Sequence, residues 1–309
     1  MKKDSKIYIS GHRGLAGSAI FTTLKKQGYA DIVTRAREEL DLTDSQKVAD
    51  FFYKESPEYV FHCAARVGSM SANIKYSAEF LYQNLAIQNN VIHQAYVHGA
   101  KKLIFFGSNC AYPRLCPQPM KEEYIMTGPL EPTNEAYGIA KIAGINMCQN
   151  YNHQYNTNFL SLIPASIYGP NDHFEVERSH VIPFLIKRFH EAKIRKEPQV
   201  TISDNPKKVR EFLYVDDLAN ASIYAMNNPI NKNPINIGTG ENITIKNLSE
   251  LIRNIVGYKG KIIWSKNVEE GMPKKILDVK KIHALGWKHG INLKKGLLAT
   301  YHWYLANTK

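Results

Sequence analysis

Apolar segments that suit strands alternate with longer segments that suit helices over the first half of this 309-residue chain. The sequence predicts strands at 6–10, 31–34, 59–62, 102–106 and 159–163, separated by helices at 15–27, 45–55, 76–97 and 133–155. A regular alternation of strand and helix implies a parallel sheet with helices packed on both faces. We therefore predict an α/β fold built on a doubly wound parallel sheet.

The pattern changes after residue 164, where a loop rich in proline, glycine, asparagine and charge runs to residue 178. Beyond it the sequence predicts strands at 199–202, 211–213 and 235–238, and helices at 180–192, 216–227, 246–256 and 293–305. A chain of this length has room for a second, smaller lobe. We predict a nucleotide-binding domain at 1–165 and a smaller α/β substrate-binding lobe at 166–309, partly interwoven with the first.

A glycine-rich turn joins the first predicted strand to the first predicted helix. Gly11, Gly14 and Gly17 form the pattern GxxGxxG, and the predicted helix begins at Leu15. Glycines let a phosphate approach the backbone, and a helix amino terminus attracts negative charge. A glycine loop alone is compatible with a simple tight turn. Its position directly after the first strand favours a Rossmann-type site for a dinucleotide.

The residues after the second predicted strand indicate which dinucleotide binds. NAD-binding proteins usually carry an acidic residue there for the ribose hydroxyls, whereas this chain has Arg35 and Arg37. Guanidinium groups suit a phosphate, so NADPH or NADP is the predicted cofactor, held by Arg13 and Arg37. The alternative for one of Arg35 and Arg37 is that it is merely a solvent-exposed surface residue. Asp41 and Leu42 are candidates to border the adenine.

Tyr137 and Lys141 lie four residues apart on the predicted helix at 133–155, and Ser108 follows the fourth predicted strand. Residues at this spacing share one helix face, so the phenol and the ammonium can meet. A free tyrosine ionises near pH ~10, and we expect Lys141, together with a positively charged nicotinamide ring, to lower the pKa of Tyr137. Packing or surface roles are the alternative for each residue. Their joint occurrence after a dinucleotide loop favours acid–base chemistry.

Composition argues against several other classes of protein. No apolar stretch is long enough to span a bilayer and no signal region follows the first lysines, so we expect a cytoplasmic protein without a membrane partner. The net charge of +12 is spread along the chain, which gives no reason to expect a nucleic-acid partner. No CxxC pair is present, and we expect reduced thiols and no metal site.

Several segments resemble a known family along nearly the whole chain. These are GHRGLAGSAI, GSNCAYP, EPTNEAYGIAKIAG, SHVIP, REFLYVDDLA, NIGTGENITI and the carboxy-terminal LGW. They resemble the extended short-chain dehydrogenase/reductases and, more narrowly, the GDP-L-fucose synthase family of GDP-4-keto-6-deoxymannose epimerase-reductases. The resemblance implies a Rossmann-type NADP domain, a smaller nucleotide-sugar domain, a GDP-sugar substrate and a homodimer.

The resemblance also implies roles for individual residues. Tyr137 would protonate the oxygen of a reduced 4-keto group, Lys141 would hold the nicotinamide ribose, and Ser108 would hydrogen-bond the keto oxygen. Cys110 and His180 match the family's base and acid for epimerisation beside the ketone, and His180 also contacts the cofactor. The alternative is that Cys110 is merely buried and that His180 is a helix amino-terminal residue touching substrate.

Two arginines and one serine complete the predicted substrate site. Arg188 and Arg210 match family contacts to the diphosphate. The segment before REFL usually carries a tryptophan and glycines in this family, whereas here Ser203 begins the sequence Ser-Asp-Asn-Pro-Lys-Lys. Further serines on the expected sugar side are Ser69, Ser71 and Ser166.

The chain departs from the family pattern in the loops that face the substrate. These differences predict a larger and more polar pocket for the sugar. We therefore expect reduction of the 4-keto group of a GDP-linked sugar, with a GDP-4-keto-heptose for bacterial surface polysaccharide as the favoured substrate. One alternative is synthesis of GDP-L-fucose. An alternative of another class is a non-catalytic NADP-binding regulator.

Overall fold

The computed structural model describes residues 1–175, 179–230, 233–265 and 271–307. Its strands are β1 Ile7–Ser10, β2 Ile32–Val33, β3 Tyr59–His62, β4 Lys102–Phe106, β5 Phe159–Pro164, β6 Ser166–Tyr168, β7 Gln199–Ile202, β8 Val209–Arg210, β9 Phe212–Tyr214, β10 Ile235–Ile237, β11 Ile243–Thr244, β12 Lys261–Trp264 and β13 Lys274–Lys275. Its α-helices are α1 Leu15–Lys26, α2 Ser45–Glu55, α3 Met70–Lys75, α4 Ser77–Val97, α5 Glu135–Tyr155, α6 Val181–Ile194, α7 Val215–Asn227, α8 Ile245–Val256, α9 Lys280–Ala284 and α10 Leu293–Asn307.

Six strands form one parallel sheet in the order β10-β5-β4-β3-β1-β2. Helices α2 and α5 both pack on α4, and α1 packs on α7, which gives two helical layers around the sheet. The predicted doubly wound α/β fold is confirmed. β1, β3 and β4 are buried almost throughout, as strands covered on both faces must be.

The direction of strand order reverses between β1 and β3, which are hydrogen-bonded neighbours. From β1 the chain first adds β2 on one side and later adds β3, β4 and β5 on the other. In sheets of this kind the carboxyl ends of the two strands at the reversal diverge and leave a crevice in which ligands bind. The glycine turn after β1 lies at this crevice.

A second apolar core is built mainly from α6, α8 and α10 with the strands beside them. Small sheets supplement it: β7 pairs with β12, β6 with β9, and β8 with both β11 and β13. The predicted loop at 164–178 therefore contains a strand, β6, whose partner β9 is more than forty residues later in the chain. Residues 176–178 of that loop lie outside the described residues.

The chain crosses between the two cores. β10 comes from the second half of the chain, yet it pairs with β5 at the edge of the six-stranded sheet. Helix α7 likewise packs against α1 and β4. The division into 1–165 and 166–309 stays a prediction, and residues 308–309 lie outside the described part of the chain.

Glu211, between β8 and β9, joins several of these segments through its buried carboxylate. One oxygen accepts hydrogen bonds from the backbone N–H groups of Thr239 (2.7 Å) and Gly240 (2.9 Å). The other accepts from the N–H group of Leu277, also at 2.7 Å. Glu211 therefore accepts hydrogen bonds from three backbone N–H groups in loops, where no neighbouring strand or helix supplies the acceptor.

None of the helices in the described ranges combines the length and apolarity needed to cross a bilayer.

Replacing Glu211 with Ala should lower the free energy of unfolding by about 2 kcal/mol or more, since it leaves the buried N–H group of Leu277 and the partly buried N–H groups of Thr239 and Gly240 without their acceptor. Chemical denaturation followed by circular dichroism measures this change. Glu241→Ala is the control, because Glu241 directly follows the Thr239–Gly240 turn and its side chain is 65% exposed. Equal effects of the two substitutions would contradict the proposed stabilising role of Glu211.

Candidate active site

The glycine turn between β1 and α1 is closely packed. Gly11 has a positive φ of 69°. A Cβ atom added to Gly11 would lie 2.8 Å from the Ala64 Cα, and one added to Gly17 would lie 2.3 Å from the Gly11 carbonyl oxygen. Both positions therefore require glycine.

The amino terminus of α1 is open to a ligand. Gly14 is its N-cap residue, no side chain caps the helix, and its first turn, which starts at Leu15, contains no acidic residue. The backbone N–H groups of this turn lack side-chain acceptors, and they carry the positive end of the helix dipole. The turn thus fits the pyrophosphate of a dinucleotide.

The structure separates the two arginines after β2. Arg35 donates to Glu55 at 2.6 Å and to the Thr34 carbonyl at 2.8 Å. Arg37 is exposed, and so is Arg13, whose contact with Glu38 at 3.3 Å is a surface ion pair. Arg35 is therefore the one engaged in a structural contact. Arg13 and Arg37 remain accessible to an anion.

Asp41 and Leu42 have local structural contacts. Asp41 accepts hydrogen bonds from the backbone N–H and the hydroxyl of Thr43, at 2.9 and 2.8 Å, and these lower the pKa of the Asp41 carboxyl. The Leu42 side chain is buried, and its carbonyl accepts a hydrogen bond from Asn90. A contact with adenine stays a prediction for both.

Ser108, Tyr137 and Lys141 meet at the carboxyl end of β4. Tyr137 lies in the first turn of α5, and its hydroxyl hydrogen-bonds the Ser108 side chain. Lys141 lies one turn later, and its ammonium is 5.7 Å from the centre of the Tyr137 ring. The same ammonium donates to the carbonyl of Phe106, the last residue of β4, at 2.8 Å. This bond fixes the register of α5 against the strand that carries Ser108.

Burial controls the acidity of this group. It raises the pKa of Tyr137, with the nearby Cys110 as a second cause, while the hydrogen bond to Ser108 lowers that pKa. Burial also lowers the pKa of Lys141 to about 8. Lys141 is not among the groups that shift the pKa of Tyr137 here, and its ammonium is directed at the Phe106 carbonyl. The expectation that Lys141 together with a charged nicotinamide ring lowers the pKa of Tyr137 stays a prediction.

Cys110 lies in a short 3₁₀ turn, Asn109–Ala111, that follows Ser108. Its sulfur is 3.3 Å from the amide nitrogen of Asn134 and 3.7 Å from the ammonium of Lys275. Two nitrogen donors therefore face the sulfur, which is half-buried in polar surroundings. This environment differs from that of a cysteine packed in an apolar core.

His180 is the N-cap residue of α6, and its ring opens onto a cavity of about 490 Å³. Desolvation lowers the pKa of His180, and the neighbouring His173 and Lys275 lower it further. Lys275 also lines the cavity, and its ammonium acts on the charge of His180 and lies 3.7 Å from the Cys110 sulfur. The structure thus brings these two predicted residues to one region.

The two arginines predicted to contact the diphosphate lie in different places relative to the cavity. Arg210 lines the cavity and donates to the carbonyl of Val209 at 2.8 Å. Arg188, in the second half of α6, pairs with Glu197 at 2.7 Å and is not among the described residues that line the cavity. A role of Arg188 in substrate binding stays a prediction.

Of the four serines expected on the sugar side, Ser69 and Ser203 line the cavity. Ser71 hydrogen-bonds the Ser69 hydroxyl at 2.9 Å, and Ser166 lies in β6. Neither Ser71 nor Ser166 belongs to the described lining, and a place on the sugar side stays a prediction for these two. The described residues contain no group of three or more His, Cys, Asp or Glu side chains placed to hold a metal ion.

A family model for the NAD dependent epimerase/dehydratase family matches residues 7–238, about three quarters of the chain. The chain belongs to this family. Among curated epimerase/dehydratase relatives, a putative GDP-L-fucose synthase 2 from Arabidopsis thaliana is 49% identical over 99% of this chain and 94% of its own length. The GDP-L-fucose synthase of Escherichia coli is 46% identical over 98% of this chain and 97% of its own length.

Solved structures of the family are also similar. A GDP-6-OMe-4-keto-L-xylo-heptose reductase from Campylobacter jejuni superposes with a TM-score of 0.95 at 38% identity, covering 100% of this chain and 99% of its own. A GDP-mannoheptose C4 reductase from the same organism, solved with NADP bound, gives a TM-score of 0.91 at 41% identity and covers 99% of each chain.

The epimerase/dehydratase fold also brings in residues that the sequence analysis did not single out. Asn134 could have been predicted, because it belongs to the EPTN segment directly before α5. Nothing in the sequence indicates a role for Lys275, because it is 165 residues from Cys110. His62 was also missed: its ring is 2.8 Å from the Ser10 hydroxyl behind the glycine turn, and burial lowers its pKa to about 3.

Proposed function

We propose that this chain reduces the 4-keto group of a GDP-linked sugar with NADPH. The observation that carries the proposal is the hydrogen-bonded pair Ser108–Tyr137, with Lys141 on the next helical turn, beside a glycine turn that fits a pyrophosphate. A proton donor, a hydrogen-bond partner for the keto oxygen and a dinucleotide site are the parts that carbonyl reduction requires.

Bound NADPH supplies the hydride that the reaction needs at carbon 4 of the sugar. Tyr137 donates its proton to the oxygen of the same carbon, so the ketone becomes an alcohol and the tyrosine becomes a phenolate. The raised pKa of Tyr137 keeps the phenol protonated before the reaction. The hydroxyl of Ser108 stabilises negative charge that develops on the oxygen, and Lys141 stabilises the phenolate that forms.

The choice of NADPH over NADH rests on Arg13 and Arg37. Both are exposed next to the glycine turn and β2, while Arg35 is paired with Glu55. A guanidinium binds a phosphate ester well and gains little from a ribose hydroxyl. The similar GDP-mannoheptose C4 reductase binds NADP, which supports the same cofactor here.

The charge of the cavity supports a nucleotide diphosphate as part of the substrate. Arg210 and Lys275 line it, together with Lys208, which is paired with Asp204. The guanidinium of Arg210 and the ammonium of Lys275 favour a ligand with phosphate groups, since anions form strong hydrogen bonds with both. GDP is the nucleotide in the names of the similar enzymes.

The sugar itself has two candidates. The proposed substrate is a GDP-4-keto-heptose, because Ser69 and Ser203 leave small hydroxyl side chains on the cavity wall and similar solved structures are named as heptose reductases. The second candidate is GDP-4-keto-6-deoxymannose, which would make the chain a GDP-L-fucose synthase. The names of the curated relatives at 46–49% identity favour it. In either case a role in bacterial surface polysaccharide synthesis is proposed.

Epimerisation beside the ketone is proposed as a possible second step. Cys110 as thiolate would remove the proton from a carbon next to the ketone, and His180 would return a proton to the opposite face. The Asn134 and Lys275 donors at the Cys110 sulfur support negative charge there. We lean toward reduction as the principal reaction because the neighbouring loops differ from those typical of the family.

We further propose a cytoplasmic homodimer, with residues 1–165 holding NADPH and residues 166–309 the GDP-sugar. Helices α4 and α5 lie side by side and expose large apolar side chains, among them Tyr82 and Ile139, which supports assembly through this face. Light scattering of the purified chain should give twice the mass of one chain, and a monomer would contradict this part of the proposal.

Replacing Tyr137 with Phe should reduce turnover at least ~100-fold, because the proton donor is lost, and should change NADPH affinity less than threefold. Tyr151→Phe, on the same helix, is the control and should keep full turnover. Unchanged turnover in the Tyr137 variant would show that Tyr137 is not the proton donor. Binding of NADPH by the wild type without turnover of any GDP-4-keto sugar would instead support the alternative of a non-catalytic NADP-binding regulator.

Replacing Arg37 with Ala should weaken NADPH binding at least ~10-fold and NADH binding hardly at all, since only NADPH offers the additional phosphate. Fluorescence titration with both cofactors measures the ratio. Arg35→Ala is the matched control, because Arg35 is tied to Glu55, and it should leave the ratio unchanged. Equal losses for both cofactors in the Arg37 variant would show that Arg37 does not bind this phosphate.

The ratio of kcat/KM for GDP-4-keto-heptose and GDP-4-keto-6-deoxymannose tests the substrate. The heptose should be at least as good as the hexose. A preference for the hexose beyond ~10-fold, or ~1.4 kcal/mol of transition-state binding, would overturn the heptose assignment.

Turnover in heavy water tests epimerisation. Deuterium at the carbons that flank the ketone is expected in the wild-type product if Cys110 and His180 act as base and acid, and Cys110→Ser should then lose it. Product without deuterium at these carbons would mean that the enzyme only reduces.

A further inference from the structure

The loop that joins β7 to β8 carries an ion pair on the wall of the cavity. The ammonium of Lys208 donates to the Asp204 Oδ1 atom at 2.8 Å. The side chain of Lys208 is only 8% exposed and that of Asp204 is 29% exposed, and both residues line the cavity. The pair is therefore largely removed from bulk water, with part of the carboxylate facing the cavity.

Local hydrogen bonds hold this loop in place. The Asp204 Oδ1 atom also accepts from the backbone N–H of Asn205 at 2.7 Å, and the Lys208 N–H donates to the Asn205 carbonyl at 3.1 Å. Backbone N–H groups at the start of α8 donate to the carbonyls of Pro206 and Lys208. The Asp204 carboxylate is thus preorganised, which lowers the entropic cost of binding a ligand group there.

The charge of Asp204 points to a neutral part of the ligand. Arg210 and Lys275 give the cavity positive charge suited to a diphosphate, whereas the charge of Lys208 is balanced by Asp204. The other acidic residue of the described lining, Glu131, is paired with Arg114 at 3.3 Å. A carboxylate would repel a phosphate at short range but accepts strong hydrogen bonds from hydroxyl groups. Asp204 therefore suits the sugar and not the phosphates.

We propose that Asp204, held by Lys208, is a specificity-determining residue that binds a hydroxyl on the exocyclic carbon chain of the sugar. The inference rests on the proposed function, since it assumes a GDP-linked sugar in this cavity. A 6-deoxy sugar presents a methyl group at this point. A methyl group removes water from the ion pair without replacing its hydrogen bonds, and this selects against the deoxy sugar.

The loop sequence supports the same assignment. The resemblance implies a tryptophan and glycines in this segment, whereas this chain has Ser203, Asp204 and the residues that follow them. An aromatic ring offers an apolar surface to its ligand, whereas a serine and a carboxylate offer hydrogen-bonding groups and more space. A heptose carries additional hydroxyls beyond the ring, which makes it the class of sugar that fits this wall.

Binding of unreactive GDP-sugars tests the proposal without requiring turnover. Isothermal titration would compare GDP-mannoheptose, GDP-6-deoxymannose and GDP alone, for the wild type and Asp204→Ala, in the presence of NADP. We expect the wild type to bind the heptose at least tenfold more tightly than the deoxy sugar. Asp204→Ala should reduce this preference to less than threefold and leave the affinity for GDP unchanged within threefold.

Lys207→Ala is the control for general damage to the loop, because Lys207 is exposed and outside the cavity lining, and it should keep the wild-type preference. Asp204→Asn, which retains one acceptor oxygen, replaces Asp204→Ala if the latter does not fold, and should reduce the preference at least threefold. The proposal is overturned if the wild type shows no preference, if the Asp204 variants retain it, or if they lose affinity for GDP itself.

A failure of the proposed function would look different. In that case the wild type would not oxidise NADPH with any GDP-4-keto sugar, whatever its binding preference among the unreactive sugars. Active wild-type enzyme with an unchanged preference in the Asp204 variants would reject only the specificity inference.

Discussion

The close contact between the glycine turn and the carboxyl end of β3 determines where the other parts of the site can lie. Gly11 packs on the backbone at Ala64, and Gly17 packs on the carbonyl of Gly11, with no space for a Cβ atom at either position. Helix α1 can therefore begin directly at the edge of the sheet where the strand order reverses. Since β4 pairs with β3 in parallel, Ser108 emerges at the same edge. The bond from Lys141 to the Phe106 carbonyl then positions Tyr137 beside Ser108.

Desolvation is the main electrostatic effect at this edge. It raises the pKa of Tyr137 and lowers the pKa of Lys141 to about 8. A protonated phenol next to a lysine suits the proposed delivery of a proton to a ketone, because the ammonium can stabilise the phenolate that remains. The cavity that His180 and Arg210 line has a different character, because its charged residues, among them the Asp204–Lys208 pair, are partly open to ligand. In the proposed function, proton transfer and sugar recognition are therefore assigned to separate groups.

The sequence predicted those parts of the structure that depend on local signals. Helix α2 has the predicted bounds 45–55, and local interactions set them: Asp44 caps its first turn, and Ser56 ends it in a left-handed conformation. Short strands such as β6 and β8 were missed, since their partners lie far away in the sequence and their own apolar pattern is too short. The same reason applies to Lys275, which reaches Cys110 only through the fold. Which of Arg35 and Arg37 is engaged depended on Glu55, twenty residues away, and the sequence left that question open.

Transfer of label from the cofactor tests the central claim most directly. NADPH carrying two deuterium atoms at carbon 4 of the nicotinamide would be incubated with the enzyme and a GDP-4-keto sugar, and the product would be examined by mass spectrometry and NMR. The account predicts one deuterium per molecule of product, bound to carbon 4 of the sugar. Absence of NADPH oxidation with both the heptose and the hexose substrate, or deuterium at any other carbon, would contradict it.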